Sequence, residues 1–355
     1  MGKKCISAGV LFLTMLAVLL DTKVALQGAK DGIALCLQTV IPSLFPFLLL
    51  CGLISSIVND LPMPFSGLFS KFRKIPPHGI SLLGIGLLGG YPAGAQAVAQ
   101  AYQAGLFSKK DGERLLVLCN HTGPAFIFGF GATVFAGLLP CLLIWLIQLL
   151  SVIFQTMLLP QRENSQDTPW MPARKKPGNP MAGAVDAMAQ ICGWVLIFRV
   201  ILAYLEHWFL WRAPTEIHAL LCGILEMTNG CSMLTLLPLQ GQQLLLMAVM
   251  TSFGGLCVFL QTQSVISSSG LSMKGYLSGK MVQSQFSLLL ATAAQWLLPK
   301  EERFFSAPVL LAGAAGICIL YGILSRKEKK DVAISKHLVY NEENHPLRGN
   351  RYAVS

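Results

Sequence analysis

Long apolar blocks alternate with short polar connectors along the chain, from the block at 33–58 to the block at 305–324. A lipid core of about 30 Å needs roughly 20 apolar residues in a helix, which is the length of these blocks. Apolar residues fill each block instead of forming one-sided stripes, which favours helices surrounded by lipid or by other helices. The pattern predicts an all-α, polytopic membrane protein of about 8–10 helical segments.

Composition supports this class and excludes an ordinary water-soluble enzyme. Of the 355 residues, 54% are hydrophobic and 12% are charged, whereas soluble proteins carry about 25% charged residues. The net charge of +10 comes from Lys and Arg residues that lie mostly between apolar blocks or at the chain ends, so we expect the lipid bilayer and no nucleic acid as a partner. Their distribution predicts that both termini are cytoplasmic.

Polar stretches divide the chain into parts. The Pro-rich stretch at 160–183 with a basic cluster at 174–176 is typical of an exposed cytoplasmic linker. In an earlier block, Pro42 and Pro46 predict a helix that is kinked or built as two half-helices. The predicted parts are a signal-anchor helix at 1–30, a first repeat at 31–159, the linker at 160–183, a second repeat at 184–300, a C-terminal helix at 301–325 and a basic disordered tail at 326–355.

The two halves echo each other at four polar, Gly-rich interruptions, which we call breaks 1 to 4 in chain order. GLLGGYPAGA at 86–95 resembles GILEMTNGC at 223–231, and CNHTGPAFIF at 119–128 resembles MTSFGGLCVF at 250–259. The matched order predicts two internal repeats that contain broken or re-entrant helices.

Irregular backbone survives at membrane depth only where protein or a water-filled cavity surrounds it, so the breaks predict a shared cavity. Half-helix N-termini there would offer N–H donors to an anion. In the alternative interpretation, the glycines permit tight helix packing and the polar side chains join helices. The candidate substrate-binding residues are Gly90, Tyr91, Pro92, Gly94, Asn120, Thr122, Gly123, Glu226, Thr228, Asn229, Gly230, Gly254, Gly255 and Gln261. Of these, Gly94, Gly123, Gly230 and Gly255 are the expected sources of N–H donors.

Two ionisable residues lie within apolar blocks, where a charge costs about 2.5–3.5 kcal/mol. Glu226, beside break 3 at 228–230, is a candidate to take up a coupling proton, coordinate a cation or bind substrate. In the alternative interpretation, Glu226 and Arg199 neutralise each other. The guanidinium of Arg199 is also a candidate to hold a substrate carboxylate.

No pattern indicates a metal site, a cofactor or catalytic machinery. The ten cysteines lie within or beside apolar blocks, without a CxxC pair and without metal-ligand spacing to histidine. Walker A, G-x-S-x-G and H-E-x-x-H motifs are absent from the sequence. We therefore expect that the chain is not an enzyme and that any transport is secondary or passive.

Five motifs together resemble the YlbJ-type sporulation integral membrane proteins of the nucleoside-recognition, or Gate domain, superfamily. These motifs are LFPFLLLCGLI, GGYPAGAQ, CNHTGPAFIFG, GILEMTNG and FGGLCVFLQTQ, spread over roughly 32–298. The resemblance implies two Gate-like repeats, similar to those of concentrative nucleoside transporters. It also implies a role in moving dipicolinic acid across the outer forespore membrane of a sporulating bacterium. The residues at 90–94, 120–124 and 226–230, with Gly254, Gly255 and Gln261, match the family's motif positions.

Three functions remain open at this stage. The first is a secondary transporter or permease for dipicolinic acid or a similar small anion, with a coupling proton or sodium ion and a homo-oligomeric state left open. The second is a non-transporting protein that scaffolds cortex or coat assembly, motivated by the basic linker and tail. The third is a nucleoside permease, which rests on fold analogy alone.

Overall fold

The computed structural model describes residues 18–58, 75–76, 79–159, 179–210 and 212–304, together with positions 12, 15, 16, 315 and 316. Every regular element in these ranges is helical, which confirms the all-α prediction. Much of the predicted signal anchor, most of the linker, most of the C-terminal helix and the tail lie outside the described residues.

The described α-helices are α1 (Thr22–Leu35), α2 (Ile41–Val58), α3 (Gly79–Gly89), α4 (Ala93–Gln103), α5 (Lys109–Cys119), α6 (Gly131–Val134), α7 (Leu138–Leu158), α8 (Pro180–Leu205), α9 (Thr215–Leu225), α10 (Met227–Ser232), α11 (Gln240–Phe253), α12 (Gly255–Ile266) and α13 (Tyr276–Ala294). Segments of π-helix occupy Cys36–Val40, Ala125–Phe130 and Glu206–Leu210, and short 3₁₀ turns occupy Met233–Leu236, Gln295–Leu297 and Lys300–Glu302.

Four helical stretches of the described ranges are long and apolar enough to cross a membrane, as a polytopic protein requires. They are Thr22–Leu50, Leu138–Leu158, Pro180–Leu210 and Gln240–Ile266. Shorter apolar helices are found at Gly79–Gly89, Ala125–Val134 and Thr215–Leu225. A further apolar block of the sequence, at 281–298, falls mainly in α13, and α13 is not among the four.

The helix with the two prolines continues through both of them. The π-segment Cys36–Val40 precedes Pro42, and the Ser43 hydroxyl donates to the carbonyl oxygen of Thr39 at 2.7 Å. A π-turn changes the hydrogen-bonding register of the helix next to Pro42, whose nitrogen cannot donate. The prediction of two separate half-helices is therefore wrong, since Thr22–Leu50 is one helical stretch.

Glycines bring the hairpin of α3 and α4 against the end of α5. A Cβ atom added to either Gly86 or Gly94 would overlap the carbonyl oxygen of Cys119. Only glycine permits this approach, because any side chain there would displace the α5 backbone.

The second half repeats this arrangement in the hairpin of α9 and α10. A Cβ atom added to Gly230 would overlap the backbone of Gly223, and one added to Gly223 would overlap the Met250 side chain. Met250 holds the position that Cys119 holds in the matched sequence of the first half. The two hairpins thus share their local packing, while their assignment as Gate-like repeats stays a prediction.

The largest hydrophobic core lies between α7, α11 and α13, and it includes Ile144, Leu244 and Met247. A second core packs α3, α4 and α5 together, and α1 and α2 pack along α8. The four breaks lie between these packed helices, in the interior of the described structure.

Replacing Gly86 by alanine tests the close contact with α5. We expect Gly86→Ala to lower the free energy of unfolding by about 1–3 kcal/mol, the usual cost of overpacking. Gly193→Ala is the matched control, because Gly193 of α8 has open space where the new methyl group would lie. It should leave stability unchanged or raise it slightly, since alanine favours helix. Thermal unfolding of both variants in detergent measures the difference, and equal melting would contradict the packing argument.

Candidate functional site

All four predicted breaks interrupt helices in the structure. Break 1 lies between α3 and α4, where Gly90 has φ +70° and the Tyr91–Pro92 peptide bond is cis. Break 2 separates α5 from the π-segment at Ala125–Phe130. Break 4 lies where α11 meets α12, with Gly254 at φ +84°.

Break 3 lies two residues earlier than the sequence predicted. The interruption is at Glu226, which adopts an extended conformation between α9 and α10. Thr228, Asn229 and Gly230 belong to α10. The sequence predicted the break at the polar residues Thr228, Asn229 and Gly230. The Glu226 carboxylate caps α10, so the helix begins before these residues.

Residues from all four breaks, or from the turn after them, surround one small cavity of about 50 Å³. Its wall is completed by apolar side chains of α2 and α8, including Leu48 and Val195. Ligand pockets usually measure about 300–1,000 Å³, so this cavity is smaller than a typical ligand pocket. The candidate residues that line this cavity are Gly90, Tyr91, Thr122, Gly123, Glu226, Thr228 and Gln261. The other candidates, Pro92, Gly94, Asn120, Asn229, Gly230, Gly254 and Gly255, are not part of its wall.

Two of the expected N–H donors are already used within the helices. The Gly94 N–H donates to the carbonyl oxygen of Gly90 at 3.2 Å, and the Gly230 N–H donates to that of Glu226 at 3.2 Å. The prediction that these two glycines present free donors to an anion is wrong, because each N–H already donates to the carbonyl oxygen four residues earlier. They serve helix packing, as the alternative interpretation proposed.

Tyr91 and Thr122 join breaks 1 and 2 to the end of α11. Both hydroxyls donate to the carbonyl oxygen of Thr251, at 3.4 Å from Tyr91 and 2.8 Å from Thr122. Gly254 lies beside the Tyr91 ring, so that an added Cβ would come 2.7 Å from its hydroxyl oxygen. Breaks of the first half therefore contact break 4 of the second half directly.

The carboxylate of Glu226 is buried, with 2% of the residue exposed, and caps α10. It accepts hydrogen bonds from the backbone N–H of Thr228 at 3.0 Å, the backbone N–H of Asn229 at 2.7 Å and the Asn229 side-chain amide at 2.7 Å. These donors stabilise the negative charge, and no described Lys, Arg or His forms an ion pair with it. The backbone donors expected to bind a substrate anion at break 3 are thus occupied by the chain's own carboxylate.

Arg199 does not neutralise Glu226. Its Nη1 donates to both carboxylate oxygens of Glu206, at 2.8 and 2.9 Å, and its Nη2 donates to Asp31 at 3.2 Å. The predicted pair of Arg199 and Glu226 is therefore wrong, since nearer carboxylates on α1 and after α8 take the guanidinium. The same contacts occupy the guanidinium group that was a candidate for a substrate carboxylate.

α10 separates the small cavity from a larger one of about 530 Å³. Thr228 lines the small cavity, whereas Asn229 and Ser232 line the larger one, together with Arg199. The amide of Asn229 therefore connects the two, because it lines the larger cavity and donates to the Glu226 carboxylate beside the smaller one.

Lys280 of α13 is a buried cation that the sequence analysis missed. It is fully buried, and its ammonium donates to the backbone oxygen of Asn120 and to the side-chain oxygen of Gln283, the latter at 2.9 Å. The ammonium also lies 5.7 Å from the Tyr91 ring centroid and 5.9 Å from that of Tyr276. Within the described ranges, no carboxylate forms an ion pair with Lys280. The charge is therefore held by neutral oxygens and aromatic faces.

Asn120 is the centre of the hydrogen bonds around Lys280. Its side-chain amide donates to the hydroxyls of Thr262 and Tyr276, each at 2.7 Å, while its side-chain oxygen accepts no hydrogen bond from the described residues. The Gln283 amide pairs with Nδ1 of His121 at 3.1 Å. This network fixes break 2 against α12 and α13.

The sequence contains a signal for this network that the analysis did not use. Tyr276, Lys280, Gln283 and Ser287 follow one another at intervals of four, three and four residues, which places them on one face of a helix. The predicted apolar block was started at 281, so that Lys280 counted as a flanking charge. All four side chains are buried in the structure.

Replacing Gln283 by methionine tests whether neutral oxygens hold the buried ammonium. Gln283→Met keeps the length of the side chain but removes an acceptor from Lys280, so we expect a loss of about 1.5–3 kcal/mol in stability. The double variant Lys280→Met/Gln283→Met should regain part of it, because it also removes the poorly solvated charge. Gln263→Met, on an exposed residue of α12, is the control. Thermal unfolding in detergent measures all three, and additive effects in the double variant would contradict the interpretation.

Part of the chain is similar to a known sporulation protein. Over 121 residues, 34% of the chain, it is 31% identical to the sporulation integral membrane protein YlbJ of Bacillus subtilis (strain 168). The match spans 29% of that relative's length. No family model matches the chain, and no solved structure matches it. This identity agrees with the resemblance of the five motifs to the YlbJ type. The helical structure with four apolar helices of membrane-spanning length is that of an all-α polytopic membrane protein.

Proposed function

We propose that this chain is a secondary transporter or permease for a small anionic metabolite. The observation that carries the proposal is the cavity lined by residues of breaks 1, 2 and 3 and by Val258 and Gln261 of α12, the helix that follows break 4. Broken helices that meet around a cavity between two halves are the arrangement in which many secondary transporters hold substrate and coupling ion.

Glu226 is the proposed coupling group. Its carboxylate lies in the wall of the small cavity without a basic partner among the described residues. A negative charge there repels an entering anion, and the repulsion is strong because little water screens it. Uptake of a proton on a carboxylate oxygen removes this repulsion and weakens the cap on α10. Proton and anion would then enter together, which is symport.

Movement of α10 is the proposed conformational step. The small cavity must widen to admit a substrate of several heavy atoms. α10 lies between the small cavity and the larger one, and the Glu226 carboxylate holds its first turn. Gly254 and Gly255, both with positive φ, offer a second point at which the backbone can turn. Alternating access would thus proceed by release of α10 toward the larger cavity.

Dipicolinic acid is the proposed substrate, and the outer forespore membrane during sporulation is the proposed location. The support is the likeness to a sporulation integral membrane protein over part of the chain and the motifs that resemble the YlbJ type. A small planar dicarboxylate also suits a cavity whose wall combines hydroxyl and amide groups with apolar side chains. The basic linker and tail, which motivate the scaffold hypothesis, lie outside the described residues.

Flux measurements in proteoliposomes test the proposal. The purified chain should take up labelled dipicolinate, and an inward proton gradient should accelerate uptake. Glu226→Gln should lower the gradient-driven rate at least about tenfold, which corresponds to about 1.4 kcal/mol in the barrier. Glu216→Gln is the matched control, because Glu216 is an exposed carboxylate on α9. No uptake above empty vesicles would contradict the transporter, and uptake of nucleosides alone would favour the nucleoside permease.

Spore composition tests the proposed location. Deletion of the gene in its spore-forming host should leave spores poor in dipicolinate while the mother cell continues to synthesise it. Complementation with Glu216→Gln should restore the spore content, and Glu226→Gln should not. Full restoration by Glu226→Gln, together with loss of function when the tail charges are neutralised, would instead support the scaffold hypothesis.

A further inference from the structure

Three side chains that bind metal ions in other proteins meet where α8 ends against α9. Glu206 begins the π-segment after α8, and His218 and Cys222 lie one turn apart on α9. One ligand atom from each residue lies within 4.8 Å of the others. Helical residues at i and i+4 share a face, so both α9 side chains reach toward Glu206. Segments of π-helix are themselves frequent at functional sites.

The separations are close to those of a tetrahedral zinc site. Glu206 Oε1 lies 3.5 Å from His218 Nε2 and 3.9 Å from Cys222 Sγ. Zinc bonds of about 2.0–2.1 Å to nitrogen and oxygen and about 2.3 Å to sulfur place such ligand pairs about 3.4 and 3.6 Å apart. The two pairs that include Glu206 therefore need shifts of a few tenths of an ångström. The ligand atoms of His218 and Cys222, which lie within 4.8 Å of each other, would have to approach by up to about 1 Å.

The ligand atoms are available to a metal. His218 Nε2 makes no hydrogen bond to the described residues. Arg199 donates to both carboxylate oxygens of Glu206, and each oxygen keeps a lone pair that a metal ion could bind. In many metal sites a similar hydrogen bond from a neighbouring residue orients the carboxylate that binds the metal. The Cys222 thiol is buried, which protects it from oxidation and from other ligands in solution.

Charge balance favours a divalent cation at this position. Asp31 and Glu206 carry two negative charges against the one positive charge of Arg199. On binding, the metal ion displaces the Cys222 thiol proton, which points toward Glu206 Oε1, to water. A divalent ion bound to Glu206, neutral His218 and the resulting thiolate brings the total to zero. Neutral clusters are the ones that a membrane interior tolerates best.

We propose that Glu206, His218 and Cys222 form a binding site for a divalent transition metal, with Zn²⁺ as the best match to this donor set. Glu206 and His218 also line the larger cavity, so the fourth coordination position can open toward it. The site would tie the end of α8 to α9, the helix that leads directly into Glu226. Binding of metal would therefore restrain the element on which α10 pivots.

Cobalt binding to the purified, tag-free full chain tests this site, because Co²⁺ replaces Zn²⁺ and its thiolate bond absorbs light. We expect one Co²⁺ per chain with a sulfur-to-cobalt charge-transfer band, and displacement of cobalt by Zn²⁺. Cys222→Ser should abolish the band, and His218→Gln should lower the affinity at least about tenfold. Cys141→Ser is the matched control, because Cys141 is an equally buried thiol on α7.

Cobalt binding is measured without transport. A negative result would therefore overturn the metal site and leave the proposed transport function untouched. Absence of stoichiometric cobalt binding by the wild-type chain would overturn the site, as would a band that persists in Cys222→Ser. If Cys222→Ser does not fold, the polar replacement His218→Gln decides the question. Unchanged cobalt affinity in that variant would equally overturn the proposal.

Discussion

Helix ends inside a membrane domain need partners, and this requirement organises the centre of the structure. Each break exposes backbone N–H or carbonyl groups where water is scarce, and an unpaired group there costs several kcal/mol. The Glu226 carboxylate binds the N–H groups that begin α10, and the Lys280 ammonium binds the carbonyl of Asn120 just beyond α5. An anion thus lies at a positive helix end and a cation near a negative one, as the helix dipoles favour.

The same requirement explains why the buried charges do not pair with each other. Glu226 is held by three donors from α10, and Lys280 by neutral oxygens and two aromatic rings. Each charge is solvated by the break it supports, so neither needs an opposite charge nearby. Arg199, by contrast, has two carboxylates at hydrogen-bonding distance. Charges that stay unpaired in the interior are those free to respond to a proton or a ligand.

The helices and breaks were predictable from the sequence because they depend on local patterns. The length of the apolar blocks predicted the long helices. Clusters of Gly, Pro and polar residues, including Gly90 and Gly254, predicted the positions of the breaks. Partners were not predictable, because they depend on how helices turn and approach one another. Arg199 was paired with the wrong carboxylate, and Lys280 was overlooked because its interior position follows from the face of α13 rather than from local composition. The cluster of Glu206, His218 and Cys222 escaped for the same reason, since its ligands come from two elements.

α10 lies between the two cavities, and the buried carboxylate at its start, Glu226, lines only the smaller one. A helix of six residues with one carboxylate at its start is stabilised by few interactions of its own, so its position depends on that cap. Asn229 lines the larger cavity and Glu226 the smaller one, and two hydrogen bonds join them, from the backbone N–H and the side-chain amide of Asn229 to the Glu226 carboxylate. In the proposed mechanism, a change of charge at Glu226 acts first on the helix that separates the cavities, whereas Lys280 supports the packing of break 2. A short helix whose position depends on one cap, between two cavities, is thus well placed to move in the proposed mechanism.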